Sequence, residues 1–290
     1  MPKLLSIGIS IFISVFLLAC ETKTNQVSEN ISEAENIANE RSNPEIIKKD
    51  IRGEEVSYQV GDTTLTGYLA FDANQRGQRP GVIVVHEWWG HNDYVRTRAH
   101  MLASMGYTAF ALDMYGDGKQ AAHPDDAQKF MMEVMSNAEM AQQRFVAARE
   151  ILEQHETTYA DKTAAIGYCF GGAVVLQMAR NGLDLNGVAS FHGNLATESP
   201  AMEGQVVAKI LVMHGADDPF VPEEQVKAFQ MEMEGAAADF EFIAYPGAVH
   251  AFTNPGATAM GEKFSLPLAY DEEADTKSWT RLEAFLKEIF

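Results

Sequence analysis

Cys169 stands in the segment Gly167-Tyr-Cys-Phe-Gly-Gly172, between a run of strand character (residues 163–167) and an apolar run at helical spacing that ends at Arg180. Glycine at positions 167, 171 and 172 removes side chains that would crowd a sharp strand-to-helix bend. Such a bend holds a thiol out over the end of a sheet, at a helix N-terminus whose free N–H groups and dipole favour a thiolate. The alternative is a core cysteine buried on a glycine-rich turn. A cysteine nucleophile needs a base, and the base needs an orienting carboxylate. His214-Gly-Ala-Asp-Asp-Pro-Phe-Val-Pro222 puts two acids on a loop after a strand, and Asp218, three residues before Val221, has the better spacing than Asp217. Tyr245-Pro-Gly-Ala-Val-His250 puts His250 on the loop after the last strand, from which an imidazole can reach back over the sheet as the base.

A second cluster is His86-Glu87-Trp88-Trp89-Gly90-His91. A zinc helix of the H-E-x-x-H kind is excluded, because the second histidine is five residues on and Gly90 and a preceding strand interrupt any single helix. No metal and no cofactor is expected. The cluster reads as a loop after a strand, which sets the backbone N–H of Trp88 beside that of Phe170 as a pair of oxyanion donors. Trp88, Trp89 and Tyr115 are candidates for an apolar substrate pocket, or else core aromatics.

These groups require strands that end together. Residues 56–60 and 64–71 flank Gly61-Asp62 and read as an opening hairpin. Residues 82–85 are a continuous β-branched run, as in a strand covered on both faces. Further strands are expected at 107–112, 187–191, 209–214 and 240–245, and helices at 93–105, 125–135, 139–155, 222–233 and 274–289. Met131, Met132 and Met135 are assigned to the core. Strands alternating with helices imply an α/β fold, a mostly parallel central sheet with helices on both faces and ligands beyond the carboxyl ends of its strands.

The totals bound the setting. The chain has 290 residues, 46% of them hydrophobic, and a formal net charge of -19, which should repel nucleic acid and anionic headgroups. Its two cysteines, Cys20 and Cys169, cannot build a disulfide framework. Residues 4–19 form an uncharged apolar run after Lys3, short for a bilayer span, that ends Leu17-Leu18-Ala19-Cys20. This resembles a bacterial lipoprotein signal. The resemblance implies cleavage before Cys20, acylation there, and a lipid anchor in the bacterial cell envelope, on the periplasmic face or the outer membrane. The expected organisation is a signal peptide at 1–19, a flexible polar tether at 20–52 and one domain at 53–290.

From about Glu54 onward the chain resembles the dienelactone hydrolase family, within the α/β-hydrolase superfamily. The resemblance rests on His86-Glu-Trp-Trp-Gly90, Asp113-Met-Tyr-Gly116, Gly167-Tyr-Cys-Phe-Gly-Gly172, Asp218-Pro-Phe-Val-Pro222, His250-Ala-Phe252 and the closing Trp279-Thr-Arg-Leu-Glu-Ala-Phe-Leu286. It implies a hydrolase of small esters or lactones with Cys169, Asp218 and His250 as its triad. It also implies that Glu87 contacts the cysteine and restrains the thiolate until substrate arrives; the plainer reading pairs Glu87 with Arg96 or Arg98. The family's two carboxylate-binding arginines fall at Asp117 and Asn254, so the mechanism carries over and the anionic substrate does not. The competing reading is a lipid-anchored envelope binding protein that keeps the fold without significant catalysis.

Overall fold

A computed structural model describes residues 48–290; the expected signal peptide, Cys20 and most of the expected tether lie outside the described residues. Eight strands form one sheet in the order β1-β2-β4-β3-β5-β6-β7-β8. β1 (Ile51–Val60) and β2 (Thr63–Asp72) pair antiparallel along their whole length, and β2 meets β4 (Thr108–Leu112) antiparallel. β3 (Arg79–Val85), β5 (Thr158–Tyr168), β6 (Gly187–Phe191), β7 (Lys209–Gly215) and β8 (Phe240–Tyr245) run parallel with β4.

β3 accounts for the layers. Its side chains alternate between faces, and Val82, Ile83, Val84 and Val85 are all fully buried. Val82 and Val84 join the core formed with α1 (Asp93–Ser104) and α7 (Glu272–Ile289). Ile83 and Val85 join the opposite core with α3 (Ala138–Gln154), α4 (Phe170–Arg180) and α5 (Glu223–Gly235). The parallel strands therefore all end on one edge of the sheet, and the loops leaving β3, β4, β5, β6, β7 and β8 converge there.

The structure departs from the sequence reading at three points. The sheet begins at Ile51 rather than at residue 56, because β1 is an edge strand whose first half is polar and carries no alternation. A short helix, α6 (Ala257–Phe264), lies where the sequence reading placed no element; it has no side-chain cap and buries only Ala257 and Gly261. The third concerns α2 (Pro124–Met135), which buries only Ala127 and Val134 and has α3 as its main neighbour. Of its methionines, Met131 is half-buried against the core, whereas Met132 is 53% and Met135 49% exposed.

Candidate active site

Cys169 caps α4 with φ +54° and ψ −115°, a conformation that a non-glycine residue holds only at a cost of about 1–3 kcal/mol. The surroundings enforce it. A Cβ on Gly167 would strike the Gly171 carbonyl, and one on Gly171 would strike the Val85 carbonyl, so helix and strand approach closer than any side chain permits. The Cys169 N–H is shared between the Phe191 carbonyl at 3.0 Å and His192 Nδ1 at 3.1 Å. The thiol itself is partly exposed.

The loops after β7 and β8 meet over this bend. Asp218 Oδ2 lies 2.8 Å from His250 Nδ1, and Asp218 Oδ1 accepts the Phe220 N–H at 2.9 Å. Asp217 is exposed, with its own N–H spent on the Ala248 carbonyl. With Nδ1 facing Asp218, the other ring nitrogen is left for Cys169, which borders the same cavity as His250. Burial alone would lower the His250 pKa; the negative charges of Cys169 and Asp218 and the hydrogen bond that Asp218 accepts from the ring outweigh it and push it up to about 10. Cys169, Asp218 and His250 are brought together.

Glu87 has a partner that the sequence did not indicate: its buried Oε2 accepts from Asn254 Nδ2 at 2.6 Å. Arg96 pairs with Glu55, and Arg98 with Asp275, so neither forms an ion pair with Glu87. Burial pushes the Glu87 carboxyl up to about 7, moderated by the Asn254 hydrogen bond and the positive fields of His250 and Arg98. Asn254, at a position where the resemblance places an arginine, is thus engaged with Glu87, and Asp117 is an exposed residue 4.0 Å from Lys119.

Phe170 opens α4, so its N–H is one of those a helix leaves without an internal acceptor. Trp88 follows β3 on a loop, where its carbonyl accepts the Tyr115 hydroxyl at 2.9 Å. That loop is held by His86, which bonds the Glu87 carbonyl through Nδ1 and accepts the Met114 N–H at Nε2. His91 is occupied by the Ala111 carbonyl at 3.0 Å. Asp113 fixes the next loop by accepting the N–H groups of Tyr115, Gly116 and Gly118.

A cavity of about 470 Å³ opens beside Cys169, Phe170 and His250. Trp88, Met131, Met132, Met135, Phe220 and Leu268 supply most of its apolar wall. Trp89 and Tyr115 do not line it, contrary to expectation. Trp89 packs with Ala251, Ala257 and Leu268 and borders a separate cavity of about 240 Å³. Tyr115 is wedged against His86 (ring centroids 4.7 Å apart) and Phe170 (5.5 Å), with its hydroxyl spent on Trp88.

Sequence reasoning missed His192. It is fully buried at the end of β6 with φ +40°, and its ring lies 5.3 Å from that of His250. Burial, His250 and Arg98 all lower its pKa well below the ordinary value, so the ring is neutral. Because Nδ1 accepts from Cys169, Nε2 carries the proton and donates to Thr253 Oγ1 at 2.7 Å. Thr253 Oγ1 in turn lies 2.6 Å from the Tyr94 hydroxyl, and Arg98 joins the Thr253 carbonyl to Asp275. The available signal was a histidine ending a strand on the same edge of the sheet.

Comparison with known proteins follows the same lines. The model of the Dienelactone hydrolase family matches residues 65–290. "Protein usf" of Aquifex pyrophilus is 27% identical over 241 residues, covering 81% of this chain and 98% of its own. A Bradyrhizobium sp. protein named "Probable 2-oxo-3-(5-oxofuran-2-ylidene)propanoate lactonase" is 29% identical over 186 residues, 61% of this chain and 74% of its own. Among solved structures, a dienelactone hydrolase-like promiscuous phosphotriesterase from metagenomic libraries superposes with a TM-score of 0.77 at 35% identity, covering 83% of this chain and 99% of that one.

Proposed function

Since this chain belongs to the dienelactone hydrolase family and is a carboxylic ester or lactone hydrolase, we propose that Cys169, Asp218 and His250 perform its chemistry. His250 takes the thiol proton of Cys169, and Asp218 holds the imidazolium by its Nδ1–H. The thiolate attacks the ester carbonyl carbon, and the resulting oxyanion is received by the N–H groups of Phe170 and Trp88. Collapse of that adduct breaks the bond to the alcohol oxygen, which leaves with the proton from His250, and an acyl thioester remains on Cys169. Water then attacks the thioester as His250 removes its proton. The products are the acid and the alcohol, and the thiolate–imidazolium pair is restored.

The observation that carries this reading is the Asp218–His250 pair at 2.8 Å, set on the same cavity as Cys169 at one edge of the sheet. Glu87, buried near His250 and tied to Asn254, serves as a charge whose state changes near neutral pH and so tunes the imidazolium. Cys169→Ala is expected to abolish p-nitrophenyl acetate hydrolysis with the fold retained by circular dichroism; undiminished turnover would discard the site.

The chain is also proposed to be exported and anchored by lipid on Cys20, with residues 20–50 as tether, in place of the expected 20–52 because β1 begins at Ile51, and the hydrolase domain following it. Support comes from the apolar run ending Leu17-Leu18-Ala19-Cys20. Metabolic labelling with a fatty-acid probe should mark the wild type and miss Cys20→Ala; equal labelling of both would end the proposal.

A further inference from the structure

The apolar wall of the cavity beside Cys169 has an unusual source. Helix α2 turns Met131, Met132 and Met135 toward the space above Cys169, and two of these are about half exposed although the chain has a core that could have held them. Large apolar side chains left facing an open cavity gain their burial when something apolar fills it. Methionine suits such a wall, since its flexible, polarizable chain conforms to ligands of different outline. The helix is itself set apart, resting mainly on α3 and burying only Ala127 and Val134.

Among the described residues, no lysine or arginine lines the cavity. Beyond Cys169 and His250, its polar side chains are Gln128 and Asn194. Where the resemblance would put arginines, Asn254 is spent on Glu87 and Asp117 is exposed and acidic. A carboxylate entering the site would lose its hydration and meet only His250, whose charge Asp218 already partners.

The position of α2 distinguishes the two halves of an ester. Its Phe130 packs on Tyr115 (ring centroids 5.6 Å apart), and Tyr115 packs on Phe170 (5.5 Å), so the helix approaches from the oxyanion side. His250, which returns the proton to the leaving alcohol, is flanked instead by Phe220 at 5.1 Å. We propose that the methionine face of α2 is the acyl-binding wall of this site, and that its substrates are uncharged esters or lactones with an extended apolar acyl part. This rests on the Cys169 mechanism proposed above, and deepens it.

The test is a series of p-nitrophenyl esters with one leaving group: acetate, butyrate, hexanoate, and an acyl chain of hexanoate length ending in a carboxylate. For the wild type, kcat/KM should rise about three- to fourfold per added methylene, the value of burying one such group. The carboxylate-ended ester should fall at least about tenfold below hexanoate, as an uncompensated charge requires. The M132A/M135A double variant should lose about tenfold of the hexanoate-to-acetate ratio, the ratio being insensitive to a general loss of active enzyme. A flat series, a preference for the carboxylate, or an unchanged ratio in the double variant overturns the acyl-wall assignment, while hydrolysis that still depends on Cys169 leaves the mechanism standing. No hydrolysis of any member overturns both.

Discussion

On one side of Cys169 the protein is closed and polar. Its N–H is tied to His192, His192 to Thr253, Thr253 to Tyr94 and, through its carbonyl, to Arg98 and Asp275, and His192, Thr253 and Arg98 are buried. On the other side lies an open cavity whose wall is mostly methionine and aromatic carbon. The first side brings together groups from β6, α1, α7 and the loop that carries His250, so it fixes the nucleophile and the base relative to each other. The second is supplied largely by one peripheral helix. Groups that must hold an atom to within tenths of an ångström are over-determined by buried hydrogen bonds, which are costly to leave unmade. Groups that meet the variable part of a substrate need only apolar area and freedom to conform.

Breaking the closed side should therefore be far more damaging than trimming the open one. His250→Ala removes the base and should lower kcat by about 10³-fold or more, measured on p-nitrophenyl acetate, in line with the loss of a triad member. Thr253→Val keeps the shape but leaves the His192 Nε2–H without its acceptor. Its kcat should fall about tenfold, as expected for one unsatisfied buried donor, with KM nearly unchanged. A lowered melting temperature with unaltered kcat would reduce the network to packing.

Glu87 sharpens the contrast by pH. Its carboxyl is raised from 4.5 to about 7 in the folded protein, so the folded state binds the proton more tightly than the unfolded one. The stability this provides is full below about pH 4.5 and is lost as pH rises through about 7. Glu87→Gln, which stays neutral, should melt close to wild type at pH 5 and above it by about a few degrees at pH 8, the size of shift expected for the release of a buried charge. A difference that does not change with pH would contradict the assignment. The smallest effect belongs to the open side: Met132→Ala, at a half-exposed position, should shift stability by about 0.5 kcal/mol or less in denaturant melts.

Much of the fold was legible because strand and helix signals alternate cleanly, and the buried β-branched run at 82–85 marked a strand covered on both faces. Cys169, Asp218 and His250 could be named because each lies just after a strand whose end the pattern located. Features that depend on what lies opposite a residue were not legible. Met132 and Met135 read as core since apolar character is visible in a sequence and the missing neighbour is not. Trp89 and Tyr115 read as pocket walls for the same reason in reverse, both being turned into packing. His192 carried only the weak signal of a histidine at a strand end; the parallel register of β5 and β6 is what brings it to Cys169. Glu87 was located but its partner was not, since Asn254 is 167 residues away.

Alkylation of Cys169 tests the central claim most directly. Iodoacetamide should inactivate the enzyme in step with a single label mapped to the peptide containing Cys169, and a bound ester should slow both together. Complete labelling of Cys169 with hydrolysis intact would show that its sulfur does not form the acyl bond.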